Sequence, residues 1–243
     1  MKKLIPFTLL FILFTLINVQ TVTAQMFSVE EDERRDFTPL ASYTVAGISW
    51  EIAEFRFVGE GLDESETAAF ENSILRFRFE SSGIHISGGF GGALTGMDET
   101  SFINLNAKLF QDLNIVRANR FLLSVPIQIV SDLIGVQKAN TNAEFRQNGF
   151  VFGTGIASRI GVAERVNLSL RATPSYGFSF AQGPDDGGSL FMASSKVRLN
   201  FAQAIGDNAL TFGYDFDYRN YNLEGTVNDY RFSSHAITIG IGF

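Results

Sequence analysis

Apolar and polar positions alternate with a period of two along most of the chain. In "RVNLSLRATPSYGFSFA" the even positions carry Val166, Leu168, Leu170, Ala172, Pro174, Tyr176, Phe178 and Phe180, and the odd ones Asn167, Ser169, Arg171, Thr173, Ser175, Gly177 and Ser179. Successive side chains of a strand point to opposite faces, so this run has one apolar and one polar side. "NALTFGYDFDYRNY" repeats it, setting Leu210, Phe212, Tyr214, Phe216 and Tyr218 against Thr211, Gly213, Asp215, Asp217 and Arg219. Just before it, Phe191, Ala193, Val197, Leu199 and Phe201 oppose Lys196, Arg198 and Asn200.

The pattern predicts strands near 230–243, 208–221, 189–204, 165–180, 149–161, 120–132, 101–112, 83–93, 72–80 and 45–58. That is about ten, with eight as the alternative, because the two N-terminal strands are the least regular. In "SWEIAEFRF" the apolar parity passes from Trp50 and Ile52 to Phe55 and Phe57, which predicts a bulge. Pro126 and Pro174 fall inside strands, and each predicts a bulge or local edge because proline gives the ladder no N–H. Connections alternate between short ("ESSG", "NIVRANR", "GVAER", "AIGDNA") and mostly longer polar ones such as "GEGLDESETAAFEN" and "GVQKANTNAEFRQN". Short turns at one end and long loops at the other suit an all-β, up-and-down antiparallel barrel crossing an outer membrane, with the turns and both termini in the periplasm.

A soluble sandwich would show the same alternation, and the polar face decides between them. Arg171, Arg198 and Asp215 fall near mid-strand, where a dry core would not hold them and a small polar lumen would. Aromatics such as Tyr176, Phe178, Phe180, Phe216 and Tyr218 gather toward the predicted outer ends as an interfacial girdle. If the turn at Gly206 pairs residues whose numbers sum to 413, Lys196 meets Asp217 and Arg198 meets Asp215. With Arg171 and Arg219 these form an expected lumen charge network, and the lumen is expected to be filled by side chains rather than open.

Before the alternation begins, "MKKLIPFTLLFILFTLINVQTVTAQ" has a basic start, an apolar run and a small-residue exit, the layout of a secretory signal cleaved near Ala24/Gln25. The expected organisation is a signal peptide at 1–24, a charged periplasmic lead-in at 25–43 and a barrel at 44–243. The chain's net charge is −7, and removal of Lys2 and Lys3 makes it −9. An acidic exported chain is a poor partner for nucleic acid. The absence of cysteine excludes disulfides, thiolate metal sites and cysteine catalysis.

The chain closes on "SSHAITIGIGF", in which Ile237, Ile239, Ile241 and Phe243 alternate with small residues. This ending resembles the carboxy-terminal assembly signal of Gram-negative outer-membrane proteins, whose terminal aromatic is read by the barrel-assembly machinery. The barrel pattern resembles the small OmpA/OmpX and opacity-type barrels. The resemblance implies Sec-dependent export and a cell-outer-membrane location, with outer-membrane lipid, lipopolysaccharide and the assembly machinery as partners. It leaves three functional classes: a structural, interaction or minor-permeability barrel; a lipid-modifying enzyme acting on lipid A or phospholipid; or a porin-like small-solute channel.

Candidate chemistry is sparse. His85 with Ser87, and Ser233 with His235, place an imidazole and a hydroxyl on one strand face, the only His–Ser pairs for a hydrolase. No third group follows from spacing, so these are weak catalytic candidates. "SGGFGGALTG" lacks the Lys-Ser/Thr of a phosphate loop. Glu60, Asp63, Glu64, Glu66, Asp98, Glu99, Asp185 and Asp186 make the long loops acidic without defining a metal site. No cofactor is expected.

Overall fold

The computed structural model describes residues 40–60, 67–139, 143–181, 187–223 and 229–243. The signal peptide, residues 25–39 of the lead-in, and the loop carboxylates Asp63, Glu64, Glu66, Asp185 and Asp186 lie outside the described residues. The described residues form ten strands: β1 (Val45–Phe57), β2 (Phe70–Ser81), β3 (Ile84–Gly91), β4 (Thr100–Ala118), β5 (Phe121–Lys138), β6 (Glu144–Thr154, continued as Ile156–Ala163), β7 (Val166–Ala181), β8 (Gly187–Ile205), β9 (Asn208–Leu223) and β10 (Tyr230–Gly242). Each pairs antiparallel with its sequence neighbours, and β1 closes on β10 from Val45↔Gly242 to Phe57↔Tyr230. Closure leaves no sheet edge unpaired, the condition for strands to cross a bilayer. Two-residue turns at 82–83, 119–120, 164–165 and 206–207 lie at the same end of the barrel as Val45 and Gly242, the start of β1 and the end of β10. That end is called the lower end below, and the longer connections lie at the upper end.

Below its upper third, the barrel is apolar outside and polar inside. Along β10, Ile237, Ile239, Ile241 and Phe243 face outward, whereas Thr238 and Ala236 are buried inside. Ile237 is 68% exposed and Thr238 1%, so neighbours in sequence occupy opposite environments. Outward rows run straight across the seam: Phe212–Ile239–Ile48, Tyr214–Ile237–Trp50 and Phe216–His235–Ile52. From His235 to Phe243 is nine residues, about the length of strand that spans a hydrocarbon layer.

Three expectations about strand regularity are corrected. The parity change in β1 is not a bulge: its register with β2 and β10 is constant throughout. What changes is the surroundings. Ser49 and Glu51 face a polar lumen, and further up the same face Ala53 and Phe55 enter an apolar cluster while Glu54 and Arg56 stand outside. In β1 the parity change therefore marks the height at which the outer face stops being apolar, whereas on β7 Phe178 and Phe180 stay exposed up to the strand's upper end. Nor do Pro126 and Pro174 make bulges; of the two alternatives expected there, a local break in the ladder is what forms. Both flank Gly155, where the β6 ladder is interrupted, but Gly153↔Ser175 and Ile156↔Ala172 keep one register across the gap. Missing N–H groups on both sides weaken the ladder there without adding a residue.

The third correction concerns β8 and β9. Asn208↔Ile205 sums to 413 as expected, but the pairing shifts before Leu210↔Phe201, and from there the sum is 411. Gln203 takes up the extra residues with φ of 54°, a conformation rare outside glycine. Lys196 therefore faces Asp215, and Asp217 faces Ser194.

Candidate functional site

The distinctive chemistry of the described residues is inside the barrel, in two layers. Glu51 and Arg76, directly inside the wall and almost fully buried, bond through Arg76 Nε at 2.5 Å and Nη2 at 3.2 Å. Arg76 Nη1 also donates to Asn104 Oδ1 at 2.8 Å, and Asn104 and Asn106 both donate to Asp132. From the far wall, Arg219 donates to Asn104 at 3.1 Å, and the Tyr221 hydroxyl donates to Asp132 at 3.0 Å. A second set centres on Glu80, which accepts from Lys196 at 2.5 Å and from Arg198 Nη2 at 2.7 Å. Arg198 also donates to Asp215 at 2.8 Å, and Asp215 accepts from Thr238 at 2.7 Å.

These charges survive burial because each lies beside an opposite charge and neutral hydrogen-bonding groups. Glycines make room for the guanidinium groups. A Cβ on Gly89 would sit 2.9 Å from Arg76 Nη2, and one on Gly213 would sit 2.9 Å from Arg198 Cδ. Part of the glycine-rich "SGGFGGALTG" is thereby explained as space for an arginine.

The second layer lies above the charges. Phe55 of β1 stacks on Tyr230 of β10 at 4.6 Å between ring centroids, and Phe102 of β4 stacks on Phe232 at 5.9 Å. Phe55 also meets Phe145 of β6 at 5.1 Å. In a closed ring of ten strands β1 and β6 are diametrically opposed, so this contact spans the lumen. Ile74, Val130, Ile134, Val136, Val151 and Leu190 fill in around the rings.

All six residues expected in the lumen network face inward, and of the two expected pairs one forms and one does not. Arg198 bonds Asp215. Lys196 does not pair with Asp217, since the bulge at Gln203 moves them out of register and Lys196 reaches Glu80 instead. Asp217 has Lys108 at 4.0 Å. Arg171 bonds Asp112 at 2.7 Å and lies over Phe110 at 4.3 Å. Arg219 lies 3.5 Å from Asp132. Sequence reasoning missed Glu51, Arg76, Arg78, Glu80, Lys108, Asp112 and Asp132. The signal was present in β2, where Arg76, Arg78 and Glu80 alternate with Leu75, Phe77 and Phe79.

The two His–Ser pairs lie on opposite sides of the wall. His85 and Ser87 face the lumen: His85 Nδ1 lies 3.3 Å from Lys196 Nζ, and Ser87 Oγ is 3.5 Å from Arg76 Nη1. At hydrogen-bond distance His85 thus has an ammonium, and Glu80, its cross-strand partner on β2, is itself engaged by Lys196 and Arg198. His235 is exposed on the outer wall with Nδ1 2.6 Å from the Tyr214 hydroxyl. No group of three or more metal-ligating side chains occurs among the described residues. Ile237, Ile239, Ile241 and Phe243 all lie on the outer face of β10.

A closed ring of strands with an apolar outer wall and a polar, ion-paired interior is a transmembrane β-barrel. No protein-family model matches the chain, and no curated protein is similar to it. Among solved structures, the chain is similar to the outer membrane protease OmpT of Escherichia coli at 8% identity and a TM-score of 0.40, over 83% of this chain and 93% of that one. It is also similar to Ail, the attachment invasion locus protein of Yersinia pestis, at 13% identity and a TM-score of 0.26, over 84% of this chain and 100% of that one. The Pseudomonas putida toluene transporter TodX gives 6% identity and a TM-score of 0.24, over 83% and 89%. No activity or ligand follows from these likenesses.

Proposed function

We propose that the chain is an integral outer-membrane barrel of a Gram-negative cell, exported with a cleaved leader. In this reading its lumen is sealed, and it serves as a structural or interaction protein rather than a conduit. The contact between Phe55 and Phe145 carries the sealed-lumen reading, because rings from diametrically opposed strands meet across the axis at that height. The Arg219–Asn104 bond from β9 to β4 supports it with a second crossing, in the charged layer. A channel would instead keep its axis free and line it with charges exposed to water.

The test is reconstitution of the purified barrel into planar bilayers. The expected record lacks large, stable conductance steps, and the double variant Phe55→Ala with Phe145→Ala is expected to introduce them or to raise the leak. Large steps from the unaltered protein would overturn the sealed lumen. Location is checked separately, by membrane fractionation and by heat-modifiable gel mobility of the extracted protein. Recovery in the soluble periplasmic fraction without a mobility shift would overturn the membrane reading.

A further inference from the structure

On the outer wall, just above the apolar band, Arg56 of β1 and Arg231 of β10 are direct cross-strand partners, and both are exposed. Side chains directly opposite in an antiparallel pair have Cβ atoms about 5 Å apart, and like charges there repel. Among the described residues no other two cations are direct partners on the outer face. The Arg231 guanidinium lies 6.0 Å from the ring centre of Tyr218, and Asn220 is its direct partner on β9. Two rows below are Ile52, His235 and Phe216, where the apolar band begins.

We propose that Arg56 and Arg231 form a site for the phosphate of an anionic lipid whose acyl chains lie down the outer wall. The proposal rests on the membrane-barrel reading and extends it to a class of ligand. A phosphate between the two guanidinium groups relieves their repulsion and accepts from both, and Asn220 offers a neutral amide beside them. Among the described residues the nearby carboxylates are Glu54, which contacts Arg56 along its own strand, Glu71, the cross-strand partner of Glu54 on β2, and Asp229, two residues before Arg231, whose Oδ1 accepts from the Leu223 N–H. The two glutamates lie on the β1–β2 side, and Asp229 lies above the arginines. On the β9–β10 side the wall below the arginines carries neutral Tyr218 and Ser233, which leaves an approach for the lipid there. The Glu54–Arg56 contact is exposed, and such a pair is weak enough for a phosphate to displace.

The test is native mass spectrometry of the detergent-extracted barrel titrated with phosphatidylglycerol, lipid A, zwitterionic phosphatidylcholine and inorganic phosphate. The barrel is expected to retain one phosphatidylglycerol or lipid A in preference to phosphatidylcholine. Arg56→Gln and Arg231→Gln are each expected to weaken retention about tenfold, as loss of one charge-assisted hydrogen bond implies. Glu54→Gln, by freeing Arg56, is expected to strengthen it. Equal retention by the unaltered protein and the double arginine variant would overturn the site. Inorganic phosphate binding as tightly as the lipids would overturn the acyl-chain contact. Heat-modifiable mobility of each variant reports separately on whether the barrel itself is intact.

Discussion

Lys196 is the direct cross-strand partner of Asp215, yet its ammonium bonds Glu80, 2.5 Å away on a strand four places around the ring. The lumen is therefore held across its width as well as along its ladders. Glu80 accepts from Lys196 and Arg198 together, so it tethers β2 to β8 with one carboxylate. Replacing it by Gln keeps the shape and removes the charge, leaving Lys196 without a carboxylate at bonding distance and Arg198 with Asp215 alone. Removing one member of a buried ion pair typically costs about 3 kcal/mol or more. Glu80→Gln is expected to lower stability by about that amount, measured by denaturant unfolding in detergent micelles. Adding Lys196→Met should recover part of the loss, because the second change removes the stranded cation. A Glu80→Gln variant as stable as the parent would show that the tether is idle.

The glycines of the lumen face make a second claim. Gly213 has no φ that demands glycine; its role is to leave space for the Arg198 side chain. Gly213→Val would push that side chain away from Glu80 and Asp215, whereas Gly206→Val would act at an open turn by backbone strain alone. Gly213→Val is expected to cost about 1–3 kcal/mol, the usual range for overpacking. If steric displacement of Arg198 is the cause, Arg198→Met in the Gly213→Val background should cost much less than in the parent. Strictly additive losses would refute the coupling.

The amount legible in sequence differed by layer. Strand number, strand order and the inward or outward sense of β7 to β10 followed from period-two alternation, because one face met an apolar and the other a polar environment over their whole length. The register of β8 against β9 did not follow. It is set by a bulge at Gln203, and glutamine carries no signal for the left-handed conformation it adopts there. The upper interior was also hidden, since in β1 a change of surroundings reads like a change of parity: Glu54 and Arg56 leave the lipid band at the height where Phe55 enters the aromatic cluster. Tyr221 and Arg219, which reach Asp132, and Lys196 and Arg198, which reach Glu80, come from strands four places around the ring, and alternation along one strand has no information about such distances.

The closing strand separates stability from assembly. Phe243 is 64% exposed on the outer wall, and its backbone N–H donates to the Thr44 carbonyl at 2.8 Å, a bond that any residue there would keep. Phe243→Leu preserves an apolar side chain at an exposed site, so the refolded barrel is expected to keep its stability to within about 0.5 kcal/mol. If the resemblance of "HAITIGIGF" to an assembly signal is correct, the same substitution should sharply lower the amount of folded, heat-modifiable protein reaching the membrane in cells. The in vitro refolding yield should stay unchanged. The two measurements must therefore diverge for a recognition role, because a structural role for the ring would lower both together. Equal cellular levels of parent and Phe243→Leu, with refolding also unchanged, would mean that the terminal aromatic is not what the machinery reads.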